Sequence, residues 1–585
     1  MRLTHQIPTI PAGAHTFTDG GVVAPHQVAV SAGEAMYARG GNAVDAAVAA
    51  ALVAGVMEPA ETTLAGCGFM LVGMPDGEVV SVEFGPRAPK GAGPHMYRAT
   101  PGRQGTSMLT VVGVEDNANA DGPLAAGVPR TLLALLTAQE RFGTLPRETV
   151  LGPAIAVARD GFSADPWFRL HVLSDIERLR ADPAAAAVFL DEDGLPRGQR
   201  TNALYGFSQG EEEPVPQPLL ARTLETVAAE GPDALRTGSV ASALLATARE
   251  RGMLLSAEDL AESGPDIGAP RTLAFRDTRV HVPQAPGGGP TELEILNVWQ
   301  HLYPGGSPYE DTAERIRGLA LAIRHSFADR FYWLGDPDLV DVPVDDLLSD
   351  AYAGRLARQI AGGDVPRAFT DGTIPWSHFA NTMLHDPRPG GGPAPWTPDG
   401  GTEPASGTTH ISAGDASGLF VSITHTAAHH FGSGTMCPRT GLLFDAAMVW
   451  FNALPGAANS VRSGARPLAN MGPAMLTRDG RAVAALGASG GRRIISAVAQ
   501  LVINLVDRGM TPLEALQAPR IDGSGPRVVL HEHLAEAEDG LAPLATYVTP
   551  PGNTTFTADF ARANLVGRLA DGRLQSAIDA GAFAT

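Results

Sequence analysis

Gly407-Thr408-Thr409-His410 closes a Pro/Gly-rich run, 386–407, and opens text that reads as strand, tight turn, strand. A threonine at that junction has an unusual option. If the Gly407–Thr408 bond is cut, Thr408 carries a hydroxyl and a free α-amine on one residue, a nucleophile with its own base attached. Two further pieces could serve it. Thr426, on the second strand, can hydrogen-bond the Thr408 hydroxyl. Gly490-Gly491, where an apolar strand turns into an apolar helix, can aim backbone N–H groups at a developing oxyanion. Alone, each has an ordinary reading: a β-branched strand residue, or glycines that make a turn. No Gly-Lys-Ser/Thr follows the glycines, so they do not read as a phosphate cradle.

The elements that must position these residues are legible in outline. His410–Ala413 and Leu419–Thr426 read as strands joined by Gly414-Asp-Ala-Ser-Gly418. Pairing Ala413 with Leu419 sets Thr408 opposite Thr424, with Thr426 one same-face step away. Arg481–Gly487 reads as a strand running into Ala488-Ser-Gly-Gly491 and a helix over Ile494–Asp507, and Thr511-Pro-Leu-Glu514 opens another helix with a capping box. Upstream, Ser31-Ala-Gly-Glu34 reads as a capping box, and Asn42 caps a helix through Val53 with Asp45 in its first turn. Phe69–Val72 and Glu78–Phe84 pair as strands across Met74-Pro-Asp-Gly77. Residues 125–380 read as mainly helical, including Ser239–Arg251.

Composition narrows the class. A chain of 585 residues with 44% hydrophobic and 18% charged residues builds a large globular core. A net charge of −20 opposes a nucleic-acid partner, whose phosphates need a basic footprint. Two cysteines, Cys67 and Cys437, imply buried thiols rather than a disulfide framework. The opening residues have no charged-then-apolar signal region, and the longest apolar run, near 43–57, contains Asp45 and is mostly alanine. The expectation is a cytoplasmic protein with no membrane partner. His531-Glu532-His533 puts two imidazoles on one face of an expected strand, but the spacing offers no third ligand, and neither metal nor cofactor is expected.

Order and wording then become specific. Gly41-Asn-Ala-Val-Asp-Ala-Ala47, Gly66-Cys-Gly-Phe-Met70, Gly127-Val-Pro129, Arg141-Phe-Gly143, Pro153-Ala-Ile155, Thr408-Thr-His410, Phe431-Gly-Ser-Gly434, Arg466-Pro-Leu468, Gly487-Ala-Ser-Gly-Gly491 and Ala518-Pro-Arg520 occur in sequence. Over nearly its whole length the chain resembles the γ-glutamyltransferase family of N-terminal-nucleophile hydrolases. The resemblance implies an α+β fold, a four-layer αββα sandwich. It also implies a precursor cut at Gly407–Thr408 into a large subunit, 1–407 (385–407 being the exposed linker to the cleavage site), and a small catalytic subunit, 408–585, that together form one domain. Thr408 then forms an acyl-enzyme from a small-molecule amide, with Thr426 orienting the hydroxyl and Gly490 and Gly491 holding the oxyanion. A higher oligomer of the cleaved heterodimer is left open.

Where the family reads glutamate, this chain differs. The expected arginine after Glu83-Phe84 is Gly85, the asparagine after Thr426 is Ala428, and the glutamine and aspartate that bracket the α-amine are Ala447 and Trp450. The serine pair is Ala469-Asn470. A buried ammonium without its carboxylate costs several kcal/mol, so the expected donor is a non-glutamyl amide. Pocket candidates are Trp450, Asn470, Ala428, Ala447, Arg87, His430 and Arg492. The short 452–465 segment resembles family members that lack a lid loop. Two alternatives stand beside this reading: a true γ-glutamyl hydrolase or transpeptidase, and a non-catalytic binding relative.

Overall fold

The structure, a computed structural model, describes residues 13–100, 113–197, 214–306, 312–363, 365, 407–525, 527–550 and 559–579. The 385–406 stretch of the expected linker lies outside the described residues.

Thirteen strands build two antiparallel sheets: β1 Gly13–Phe17, β2 Gly20–Val23, β3 Cys67–Gly73, β4 Val79–Phe84, β5 Asp266–Gly268, β6 Arg271–Phe275, β7 Thr278–Val282, β8 Thr409–Asp415, β9 Phe420–Thr426, β10 Ala474–Arg478, β11 Arg481–Ser489, β12 Arg562–Arg568 and β13 Leu574–Ile578. One sheet runs β2-β8-β9-β3-β4-β5 and the other β1-β13-β12-β11-β10-β7-β6. The helices Gln27–Tyr37, Ala43–Met57, Thr131–Phe142 and Arg147–Asp160 cover the outer face of the first sheet. Gly289–Leu302, Ala313–Trp333 and Arg493–Val506 cover the second. Val23, Leu71, Phe420, Met475, Ala485 and Val566 fill the space between the sheets. This is the αββα sandwich expected from the sequence.

Strand alternation explains which side chains reach the interior. On β8 and β9, Ile411, Ala413, Val421 and Ile423 pack toward the helices. The alternate positions, His410, Ser412, Ser422 and Thr424, face the other sheet and are polar yet fully buried. They are satisfied there. The His410 ring lies 2.8 Å from Thr424 Oγ1 and 2.9 Å from Ser412 Oγ. Ser422 Oγ donates to the Leu486 carbonyl and Asn564 Nδ2 to the His410 carbonyl, stitching the sheets together.

The helix Ala43–Met57 is buried on every face, which is why its alanine-rich text shows no amphipathic stripe. Asn42 and Asp45 form its capping box as expected, and the helix runs four residues past Val53. Its first N–H, from Ala43, donates to Asp415 at the end of β8 at 3.0 Å, which ties this helix to the strand that follows Thr408.

Four expectations are corrected. The first helix begins at Gln27 with His26 as its N-cap, so Ser31 lies inside it. The β8–β9 hairpin pairs Thr409 with His425 and Ala413 with Val421, two residues away from the expected register. The physical reason is the turn: Asp415 N–H bonds the Leu419 carbonyl, Asp415 Oδ1 accepts from Ser417 N–H, and Gly418 supplies φ +93°. A hairpin, Arg271–Phe275 with Thr278–Val282, interrupts the expected helical region. Finally, His531 caps a 3₁₀ helix, Glu532–Leu541, rather than lying on a strand.

Candidate active site

The corrected register brings Thr426 directly across from Thr408, and the geometry follows. Thr408 Oγ1 sits 2.7 Å from the Gly407 carbonyl oxygen and 3.3 Å from Thr426 Oγ1. The Thr426 hydroxyl donates a short hydrogen bond to the same Gly407 carbonyl. It also accepts from Ala428 N–H at 2.8 Å. Because the backbone amide takes a lone pair of Thr426 Oγ1, its one proton is free to polarise Gly407. Thr408 is 3% exposed and Thr426 fully buried, so little water competes for these bonds. Gly407 admits no side chain, because a Cβ there would overlap the Ala60 carbonyl.

The loop after the helix Ala43–Met57 supplies a carboxylate that sequence reasoning missed. Glu61 Oε2 accepts the Thr408 N–H at 2.9 Å, and the Glu61 carbonyl accepts Ala427 N–H at 3.1 Å. Glu61 Oε1 lies 3.7 Å from His171 Nε2. His171 Nδ1 lies 2.9 Å from the Trp167 carbonyl, and its ring packs edge-on against His430 at 4.3 Å. Burial pulls His171 below the usual imidazole range, so it is neutral at pH 7. Beside it, burial lifts the Glu58 carboxyl to about 8, leaving it protonated. Glu61, His171 and His430 are also, among the described residues, the group whose ligand atoms approach closely enough to share a metal ion, all within 4.8 Å. With Glu61 Oε2 already bonded to Thr408, the cluster reads first as a hydrogen-bonded support for that residue. The only sequence signal for it was the second acid of Glu58-Pro-Ala-Glu61.

β11 ends at Ser489, which with Thr408, Glu58, Glu61, Trp167, His171, Arg562 and Asn564 lines a cleft holding about 710 Å³ of atom-free space, its open mouth included. Gly490 and Gly491 follow with φ +131° and +64°. A Cβ on Gly490 would come within 2.9 Å of Ala561 Cα, so glycine alone lets this turn lie against β12.

Of the pocket candidates, Ala428 bonds Thr426 and takes φ +71°, and His430 joins the Glu61–His171 group. His430 is held in place by Arg178, which donates to its carbonyl at 2.9 Å and to Gly432's at 2.6 Å. Trp450, Ala447 and Asn470 are buried. Ala447 N–H donates to Asp445, and Asn470 accepts from the buried Arg330 at 3.4 Å. Arg87 faces Asp266 at 3.5 Å, and Arg492 donates to Ser524 at 3.1 Å. None of Trp450, Ala447, Asn470, Arg87 and Arg492 lines the Thr408 cleft. Among the described residues no helix is long and apolar enough to cross a membrane.

The profile of the Gamma-glutamyltranspeptidase family matches residues 29–545, most of the chain. The chain belongs to the γ-glutamyltranspeptidase family. Within that family it is 31% identical over 532 residues to a glutathione hydrolase proenzyme of Pseudomonas sp. (strain A14), covering 88% of this chain and 83% of the relative. It is equally 31% identical over 519 residues to the acylase ACY 1 proenzyme of Pseudomonas sp. (strain SE83), covering 88% and 85%. In fold it matches the crystal structure of a cephalosporin acylase from Bacillus halodurans with a TM-score of 0.77 over 99% of this chain and 97% of that one, at 22% identity. The γ-glutamyltranspeptidase family thus brings hydrolases and acylases made as proenzymes equally close to this chain, which is an amide-bond hydrolase or acyltransferase of that family.

Proposed function

We propose that the chain is a self-cleaving N-terminal-threonine amidohydrolase or acyltransferase that forms its acyl-enzyme on Thr408 from a non-glutamyl amide. The observation that carries this is the Gly407 carbonyl oxygen, hydrogen-bonded by both the Thr408 hydroxyl, at 2.7 Å, and the Thr426 hydroxyl. Thr408 Oγ attacks the Gly407 carbonyl carbon. The C–N bond then breaks, the proton from Oγ passes to the departing nitrogen, and residue 407 is left as an ester on Thr408. Water hydrolyses that ester, releasing 1–407 with a new carboxylate and 408–585 with a free α-amine.

In the mature enzyme the neutral α-amine takes the Oγ proton as Thr408 attacks the substrate carbonyl. The N–H groups of Gly490 and Gly491 face the oxyanion, and the protonated amine returns its proton to the leaving nitrogen. Water or an amine then resolves the acyl ester.

Residue replacements support a non-glutamyl donor. At position 85 even a Cβ would fall 2.6 Å from the Phe69 ring, so the space of a carboxylate-binding arginine is closed. Trp450 is 2% exposed and packs in the apolar layer with Ala428, Ala446 and Leu468. The γ-glutamyl alternative rests on the equal likeness to a glutathione hydrolase proenzyme. Turnover of γ-glutamyl-4-nitroanilide compared with simple acyl-4-nitroanilides separates the two, with mass spectrometry locating the acyl adduct on Thr408. Efficient γ-glutamyl turnover overturns the non-glutamyl reading. A single full-length band on a denaturing gel, identical for wild type and Thr408→Ala, overturns the catalytic one.

A further inference from the structure

Across the sheet from Ser489, at the first position of β12, stands Arg562. It lies in the same cleft as Thr408, and its guanidinium stacks on the Trp167 ring at 4.2 Å. Among the described residues no hydrogen bond or ion pair reaches its donors, and Glu61, Asp579 and Glu58 act on it only through space. Such a planar group, with its donors open to a cleft, is suited to carboxylate recognition.

The surrounding charges favour an anion once the chain is cut. Glu61, the nearest carboxylate in the cleft to the nucleophile, is 2.9 Å from Thr408 N and becomes the partner of the new α-ammonium. Glu58 is held neutral by burial. Asp579 is bonded to Arg520, and Asp165 accepts from Phe168 N–H while facing His26 at 3.9 Å. His171 is neutral. Each of these acids has another partner or is neutral, so among the described residues Arg562 lines the cleft with no acid bonded to it; burial lowers its pKa while Glu61, Asp579 and Glu58 raise it. The Trp167 face holds the guanidinium plane without consuming a donor.

We propose that Arg562 is the anion-recognition group of the cleft, and that the amide cleaved at Thr408 carries a carboxylate that docks on it. This rests on the amidohydrolase reading above. The carboxylate belongs to the acyl portion or to the amine portion of the substrate, and matched substrates distinguish them. For the acyl side the pair is the mono-4-nitroanilide of glutaric acid and pentanoyl-4-nitroanilide. For the amine side the pair is 4-(pentanoylamino)benzoate and pentanoylanilide.

In the processed wild-type enzyme, one carboxylate substrate exceeds its neutral partner in kcat/KM. In Arg562→Gln that ratio falls about 10- to 150-fold, the worth of a charge-assisted hydrogen bond, and Arg562→Lys restores part of it. A merely structural role would lower both members of a pair together and leave the ratio in place. Complete processing with no carboxylate preference on either side, or a preference that Arg562→Gln leaves untouched, overturns the proposal and spares the amidohydrolase reading. An uncut chain with no adduct on Thr408 overturns both.

Discussion

Under the proposed mechanism Glu61 sets the proton affinity of the Thr408 amine, and replacing it tests the arrangement most directly. In the uncut chain its carboxylate accepts the Thr408 N–H at 2.9 Å. After cleavage the same atoms become a carboxylate and an ammonium. At that separation, with an effective dielectric constant of about 20, the gross attraction is about 6 kcal/mol. Water entering the cleft and desolvation of the pair reduce it. An opposite charge this near raises an amine's pKa by about 1–3, or about 1.4–4 kcal/mol.

The sign follows from the mechanism. The amine works as a base only when neutral, so stabilising its charged form pushes the acidic limb of the pH–kcat/KM profile above the free-amine reference of about 7.7–8. Glu61→Gln keeps an acceptor for the N–H and removes the charge. The limb then moves down by about 1–3 pH units, and activity extends to lower pH. The assay is kcat/KM of the processed enzyme from about pH 5 to 10 with an acyl anilide, on protein shown to be fully cut. A limb that stays in place or moves up refutes the pairing. A processed, folded variant inactive at every pH refutes the amine as base and makes Glu61 the proton carrier.

Thr426→Val removes the hydroxyl that polarises Gly407 and strips the acceptor from Ala428 N–H. Self-cleavage slows by about 10²–10³-fold, as for loss of one oxyanion donor, in a gel time course, while Thr426→Ser cleaves at a rate closer to wild type. Gly407→Ala forces a Cβ into the Ala60 carbonyl; the precursor accumulates uncut and melts lower by calorimetry. Acid weakens the packing on both faces of the sheet that carries Thr408, His410 facing the other sheet and His425 facing the helix side, where it bonds Thr62. Burial holds His410 and His425 down at about 3 against an unfolded value of 6.5, so each contributes stability that is full above pH 6.5 and lost as pH falls toward 3. Thermal melts at pH 7 and pH 4 read this as a fall in Tm, and replacing His410 by Gln reduces the fall.

Much of the site was legible because strand and turn chemistry is local. The Pro/Gly run ending at Thr408, the Thr-Thr-His text and the glycines after a β-strand each announce themselves, as does the Asn42–Asp45 capping box. The hairpin register was less so. Pairing Ala413 with Leu419 leaves out the Asp415 side chain, which reorganises the turn and moves the pairing by two residues. A two-residue slip preserves the face, so Thr426 lies on the side of Thr408 in either register, and the turn alone sets it directly opposite.

By itself, then, the sequence determined the family and the layered fold and singled out Thr408, Thr426, Gly490 and Gly491 as candidates, since these are written as contiguous motifs with local geometry. The tertiary structure decided what surrounds Thr408. Glu61 arrives from the end of a buried helix, His171 from a helix more than a hundred residues further along, and Arg562 from a strand close to the C-terminus. No spacing rule links residues so far apart. They meet because two sheets pack face to face and bring the start of β8, the end of β11 and the start of β12 to one rim, and chain folding alone sets that proximity.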